Sequence, residues 1–277
     1  MSCRLLLPLL SYPDPTPKSG LAYAFELVSK LQGDVTALVH EVDIAEIQNV
    51  LADVLIDVTG MVAAAERKSR SNARELLDEA NRLAASFGLR LELQPVRSRP
   101  EAAADVISVA SRTFDYSLLV ATSQSDAQLG IFEAVLFGSG GPSLVLPTAE
   151  TTASFDTAAV AWDGTRAAAR ALRDAIPVLK LFVRTILLTV DDDKAIDPIS
   201  VAGAESLLRG HEIDTSRSTV AAGGVSIGDA LQQAAIDRGA GLLVMGAYGH
   251  NRFREWILGG ATRTVLLNCR LPLLMSH

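Results

Sequence analysis

The chain has only two cysteines in 277 residues, Cys3 and Cys269, and they stand near its opposite ends. With no CxxC pair and no His-rich company, they read as core-packing thiols rather than metal ligands. The four histidines, His40, His211, His250 and His277, show no HExxH or similar ligand spacing. No apolar run approaches the roughly 20 residues that a bilayer crossing needs, so membrane insertion is set aside. The N-terminal MSCRLLLPLLSYPDPTPKSG carries a short apolar run followed directly by prolines, without a small-residue cleavage site; it reads as a strand, not a signal peptide, and the expected location is cytoplasmic. An excess of basic residues is also missing. With 32 acidic against 25 basic residues the net charge is -7, which offers no general attraction to nucleic acid.

Several chemical signatures are absent as well. The chain has no Walker GxxxxGK[ST], no dinucleotide GxGxxG and no GxSxG elbow. No nucleophile, base or ligand cluster is convincingly placed, so an enzyme is not the expectation.

What is present is ordinary globular material, 49% hydrophobic and 21% charged, enough for one large domain or two of about 140 residues each. The chain also contains itself twice. DVISVASRTFDYSLLV, from Asp105 to Val120, and DALQQAAIDRGAGLLV, from Asp229 to Val244, both start at Asp and end in Leu-Leu-Val. Downstream, PSLVLP and LPLLMS read as matching short strands; upstream, CRLLLPLL and TAAVAWDG each open a half. The polar, Thr-rich TAETTASFD, Thr148 to Asp156, suits a connector. The expected division is therefore 1–150 and 151–277.

Within each half the apolar period alternates between strand and helix. Leu76, Ala80, Leu83 and Phe87 mark one helical face, with Gly88 placed to end it. Pro100 opens another helix, and further helices end near Gly138, Gly210 and Gly239. This alternation implies a parallel sheet covered on both faces, hence two tandem doubly wound five-stranded α/β domains. Asp43 to Met61 has no counterpart in the second half and is expected to be an amphipathic helix covering core or an interface.

In such sheets ligands bind beyond the carboxyl ends of the strands. Asp163 follows the strand TAAVAW and Gly246 follows the strand GLLVM. From Gly246 the sequence runs G-x-x-G, nine residues, then G-G: Gly246, Gly249, Gly259, Gly260. Glycines permit positive φ and close approach of a phosphate to backbone amides, and a helix opening near Gly260 would direct free N–H groups at it. Chance alone gives three glycines at fixed spacing in about one chain in ten; the position after a buried strand and before a helix is what gives the spacing weight.

LLVMGAYGHNRFREWILGGATRTVLLNCRLPLLMS closely resembles the C-terminal signature of the universal stress protein (UspA) family, and AVAWDGTRAAARAL resembles that family's first strand and loop. The likeness spans the second half and, more faintly, the first. It implies two adenine nucleotide alpha hydrolase-like domains packed as an intramolecular pseudo-dimer, with PSLVLP and LPLLMS near the shared axis. It further implies an ATP- or AMP-binding regulatory or stress-response protein that forms a homodimer. Carried over to this chain, the nucleotide contacts are Ala161, Asp163, Val190 through its backbone, Gly246, Gly249, His250, Arg252, Gly259, Gly260, Ala261 and Thr262. Asp163 can equally cap the helix starting at Thr165; His250 and Arg252 can be surface residues. Asp191 to Asp193 can hold Mg beside the nucleotide or form a solvated acidic loop. Gly260 replaces the family's usual Ser or Thr, leaving Thr262 to supply a hydroxyl.

In the first half the corresponding stretch, ATSQSDAQLGIFEAVLFGSGGP, lacks the G-x-x-G glycines, so that half is expected not to bind ATP. Two alternatives stand beside nucleotide-dependent regulation. One is a nucleotide-independent dimerisation or interaction module, the other a weak ATPase.

Overall fold

Alternating leucines make the first strand two-sided. In β1 (Arg4–Leu10) Leu5, Leu7 and Leu9 enter one core while Leu6 and Leu10 enter another, as a period of two requires of a strand buried on both faces. The computed structural model describes residues 3–44, 57–121, 126–148, 154–191, 196–221, 223–247 and 260–277. After β1 come α1 (Leu21–Lys30), β2 (Asp34–Val42), α2 (Val58–Phe87), β3 (Leu91–Ser98), α3 (Ala103–Ser111), β4 (Tyr116–Val120), α4 (Asp126–Gly138) and β5 (Ser143–Leu146). The order then repeats: β6 (Thr157–Ala161), α5 (Arg166–Leu179), β7 (Arg184–Asp191), α6 (Pro198–Gly210), β8 (Thr215–Ala221), α7 (Ile227–Asp237), β9 (Leu242–Gly246), α8 (Gly260–Leu267) and β10 (Leu273–Ser276).

The strands form a ten-stranded sheet in the order β3-β2-β1-β4-β5-β10-β9-β6-β7-β8. Each half contributes five parallel strands, and the halves meet where β5 and β10 pair antiparallel. Two apolar layers run the length of this sheet: one under α1, α2, α5 and α6, the other under α3, α4, α7 and α8. The junction is a local two-fold. Leu119 and Leu243 are equivalent in the repeat; Val145 pairs with the first and Leu273 with the second. Val145 and Leu273 also pair with each other, so the pseudo-dyad passes between them.

Local chemistry explains the details. Gly88 closes α2 in the left-handed region, φ 65°, and Gly140 (φ 75°) and Gly239 (φ 69°) follow α4 and α7 in the same way. Pro100 opens a short 3-10 turn, Pro100–Ala102, that leads into α3 instead of starting the α-helix itself. Pro8 lies inside a central strand, where it lacks the N–H that the β1–β4 ladder needs, and that ladder registers only at Leu5 and Leu6. Pro95 sits in the edge strand β3, where a missing donor faces no partner strand. Of the stretch Asp43 to Met61, residues 45–56 lie outside the described residues, and Val58 to Met61 form the first turn of α2. The thiols of Cys3 and Cys269 are both partly buried, and burial pushes the first up to about 11 and the second to about 12.

Candidate functional site

β6 and β9 are neighbours, with Val160 opposite Val244, and from this pair the chain winds outward in both directions: β7 flanks β6, and β10 flanks β9. The helices leaving them cover opposite faces, α5 on one core layer and α8 on the other. This reversal opens a crevice at the carboxyl ends of β6 and β9, the usual ligand position in open α/β sheets.

The β6 side of the crevice is built by a tight turn. Asp163 is exposed, and its Oδ1 accepts from the Thr165 backbone N–H at 2.9 Å and from the Thr165 hydroxyl at 2.7 Å. Thr165 Oγ1 in turn accepts from Ala168 N–H at 3.2 Å, which makes Thr165 the N-cap of α5. Gly164 turns the chain at φ 75°, a conformation that an L side chain strains to adopt. Beneath this turn the buried Trp162 donates from Nε1 to Ser200 Oγ at 3.2 Å, tying the loop to α6. Asp163 thus shapes the turn, while Thr165 supplies the cap.

On the β9 side, Gly246 ends the strand. It does not have positive φ, so its glycine is not a matter of turn conformation. A β-carbon there would lie 2.5 Å from Ala168 N, 2.6 Å from Ala167 C and 2.9 Å from Ala167 Cβ. The first turn of α5 therefore packs directly on Gly246. Helix packing requires a glycine here whether or not a ligand is present. Ala247 continues the ladder, its N–H donating to Ser276 O at 2.8 Å, and its carbonyl stands 3.0 Å from His277 Nδ1. The His277 ring meets Phe137 of α4 edge to face at 4.8 Å, so the first half touches the segment that leads into the glycine loop.

Ala161 ends β6 opposite Leu188, and Val190 is half-buried on β7 opposite Val220. Gly260 and Ala261 open α8, and Thr262, in the same turn, is 3% exposed. Gly249, His250, Arg252 and Gly259, together with Asp192 and Asp193, lie outside the described residues. Among the described residues no group of three or more His, Cys, Asp or Glu side chains can hold a metal ion, and no helix is long and apolar enough to cross a membrane.

The first half fills the equivalent corner with its own side chains. Leu10 faces His40 as Ala161 faces Leu188; counting on along each chain, Tyr12 stands where Asp163 does and Val42 where Val190 does. The Val42 N–H is taken by Ser69 Oγ of α2 at 3.0 Å. Ser11 Oγ shares a hydrogen bond with Ser69 Oγ at 2.7 Å and donates to His40 O at 2.6 Å, and Asn72 Nδ2 donates to Ser11 O at 2.8 Å. The sequence signal for this plug was a serine directly following an apolar strand, opposite a helix carrying serine and asparagine on its buried face.

Two abutting doubly wound α/β units with a crevice of this kind define the class of the protein. Residues 154–277 match the model of the universal stress protein family. Over its whole length it has the fold of a universal stress protein from Archaeoglobus fulgidus DSM 4304, with TM-score 0.70, 18% identity, and coverage of 99% of this chain and 97% of that one. A functionally unknown protein from Pseudomonas aeruginosa PAO1 is similar at TM-score 0.56 and 12% identity, covering 98% of this chain and 92% of that one. A search of curated proteins found no match.

Proposed function

We propose that this chain is an adenine-nucleotide-binding regulatory or stress-response protein with one competent site, in its second half (151–277), and a degenerate first half (1–150) acting as structural mate. The reading is carried by one observation: Asp163 follows β6 and Gly246 ends β9, neighbouring strands at the reversal of strand order, and α8 opens beyond them at Gly260. Both bonds of Asp163 run through Oδ1, which leaves Oδ2 for a ribose hydroxyl. The amides at the start of α8 suit a phosphate. AMP or ATP is the ligand class, with Arg252 and His250 on the phosphate side and Mg, when present, beside Asp191 to Asp193. The first half is read as degenerate because Ser69 holds the Val42 amide and the G-x-x-G glycines are missing.

Mass spectrometry of the denatured purified protein, followed by calorimetric titration with AMP and ATP, tests this. The expected result is adenine nucleotide bound at one per chain and at least tenfold weaker binding in Asp163→Asn. Asparagine keeps the Oδ1 acceptor of the turn and removes the charge. Absence of nucleotide binding would favour the second reading, an interaction module that keeps only the fold. That reading draws on the structural duties found for Asp163 and Gly246.

A further inference from the structure

The fifth strands of the two halves differ in length. In the first half the β4–β5 ladder closes at Val120 and Leu146, and Pro147, which has no N–H to extend it, follows. Pro147 stands at the place of Met275, because Val145 corresponds to Leu273. β10 carries on where β5 stops, pairing Met275 with Met245 and Ser276 with Gly246. The fold does not need this extension, since the first half does without it, and it reaches the edge of the nucleotide crevice.

Beyond the extension both backbone groups of Ala247 are taken. The residue is fully buried. Its N–H donates to Ser276 O at 2.8 Å, and its carbonyl accepts from His277 Nδ1 at 3.0 Å. A carbonyl only accepts, so this contact puts the proton on Nδ1. Ala247 is where the chain leaves β9, one residue after the glycine on which α5 packs. A clamp on both of its backbone groups sets the direction of that exit.

To make its bond the imidazole must be held in one rotamer, and ordering a side chain costs entropy. The first half supplies the hold. Phe137, near the end of α4, meets the His277 ring with centroids 4.8 Å apart and planes at 73°, the edge-to-face arrangement that aromatic pairs favour. The helix is fixed at this point: the Ala134 carbonyl accepts from Ser108 Oγ of α3 at 2.8 Å, and the Gly138 carbonyl from Arg112 Nε at 3.0 Å. Phe137 itself is 41% exposed, so its ring serves this contact more than the core.

We propose that the first half acts on the site of the second through Phe137, whose ring holds His277 on the Ala247 carbonyl and so keeps the exit of β9 in the arrangement that binds nucleotide. Phe137 and His277 are positioning residues that need not touch the ligand. The effect on affinity rests on the nucleotide reading above, whereas the clamp does not.

Two measurements on the full-length chain separate these parts. Exchange of the Ala247 amide proton, followed by NMR without ligand, reads the clamp. Calorimetric titration with AMP reads its consequence, because apparent affinity falls with the fraction of protein in the competent arrangement. Phe137→Leu should speed exchange at Ala247 but not at Leu243, whose amide bonds to Pro272 O lower in the same ladder. It should also weaken AMP about threefold, within the range for losing an aromatic pair, with the urea midpoint of the ligand-free protein almost unchanged. Phe137→Tyr, which keeps the ring, should match the unaltered chain. His277→Ala should weaken AMP about tenfold, and Phe137→Leu should add nothing to it, because Phe137 acts through His277. Unchanged Ala247 exchange in Phe137→Leu, unchanged AMP affinity in that variant, or a further loss when it is combined with His277→Ala would each overturn the proposal. If the unaltered chain binds no AMP, the nucleotide reading fails, and faster Ala247 exchange in both single variants still supports the clamp.

Discussion

The hydroxyl of Tyr116, at the start of β4, donates to the backbone carbonyl of Asp174 in α5 at 2.8 Å, a bond that crosses from one half of the molecule to the other. A second crossing bond mirrors it: Tyr23 of α1 donates to the Gly241 carbonyl, just before β9, at 3.3 Å. Each joins the first helix of one half to the fourth strand of the other, about the pseudo-dyad between Val145 and Leu273. Both tyrosines come from the first half. Besides the apolar layers and the β5–β10 ladder, these two phenols hold the halves in register. Tyr116→Phe should lower unfolding stability by about 1 kcal/mol, and Tyr23→Phe by less because its bond is longer, as measured by urea denaturation.

The same phenols set a limit on stability at alkaline pH. Burial, with lesser contributions from Cys3, Asp174 and Asp115, raises the pKa of Tyr116; burial and then Glu26 raise that of Tyr23. A raised native pKa means the unfolded chain loses these protons first, beginning near pH 10. The stability they contribute is fully present below that pH and is lost above it, at up to about 1.4 kcal/mol per pH unit for each phenol. The urea midpoint should fall between pH 9 and pH 11, and the fall should be shallower in the Tyr23→Phe/Tyr116→Phe double variant. Equal slopes would show that other groups govern alkaline unfolding.

Much of this architecture was legible in the sequence, and the exceptions have a common cause. The matching Leu-Leu-Val strands and the helix ends at Gly88 and Gly210 rest on local periodicity and local conformation, which a linear chain displays, whereas the placement of PSLVLP beside LPLLMS rested on the family resemblance. The packing of α5 on Gly246, the Ser11–Ser69–Val42 plug and the His277–Ala247 contact depend on which backbone arrives from elsewhere, and residue spacing carries no record of that. For the same reason Asp163 looked like either a helix cap or a ligand contact. The cap proved to be Thr165, with Asp163 one step behind it.

Gly246 can be tested apart from any ligand. A methyl group added there meets the backbone of Ala167 and Ala168, and backbone in a helix's first turn yields less readily than a side chain. Gly246→Ala should therefore destabilise the ligand-free protein by about 1–3 kcal/mol, the range for overpacking a tight contact. Thermal melting in the absence of nucleotide checks this. An unchanged melting temperature would return the glycine to a purely ligand-related role.

Ser69 offers the sharpest test of how the first half was closed. Its hydroxyl, on a residue with no solvent exposure, meets both the Val42 amide and Ser11 Oγ. Removing it leaves a buried N–H and a buried hydroxyl each short of a partner, and such a loss costs about 1–3 kcal/mol. Ser69→Ala should show that loss in urea denaturation. Replacing both members of the pair, as in Ser11→Ala/Ser69→Ala, should cost less than the sum of the single changes, because the two hydroxyls bond to each other. The Val42 amide corresponds to the Val190 amide, which the proposed nucleotide site leaves available. Unlocking it in Ser69→Ala should still not create AMP binding, because the first half has Tyr12 in place of Asp163 and no G-x-x-G glycines. A second AMP bound per chain in that variant would mean that Ser69 alone had closed a competent site.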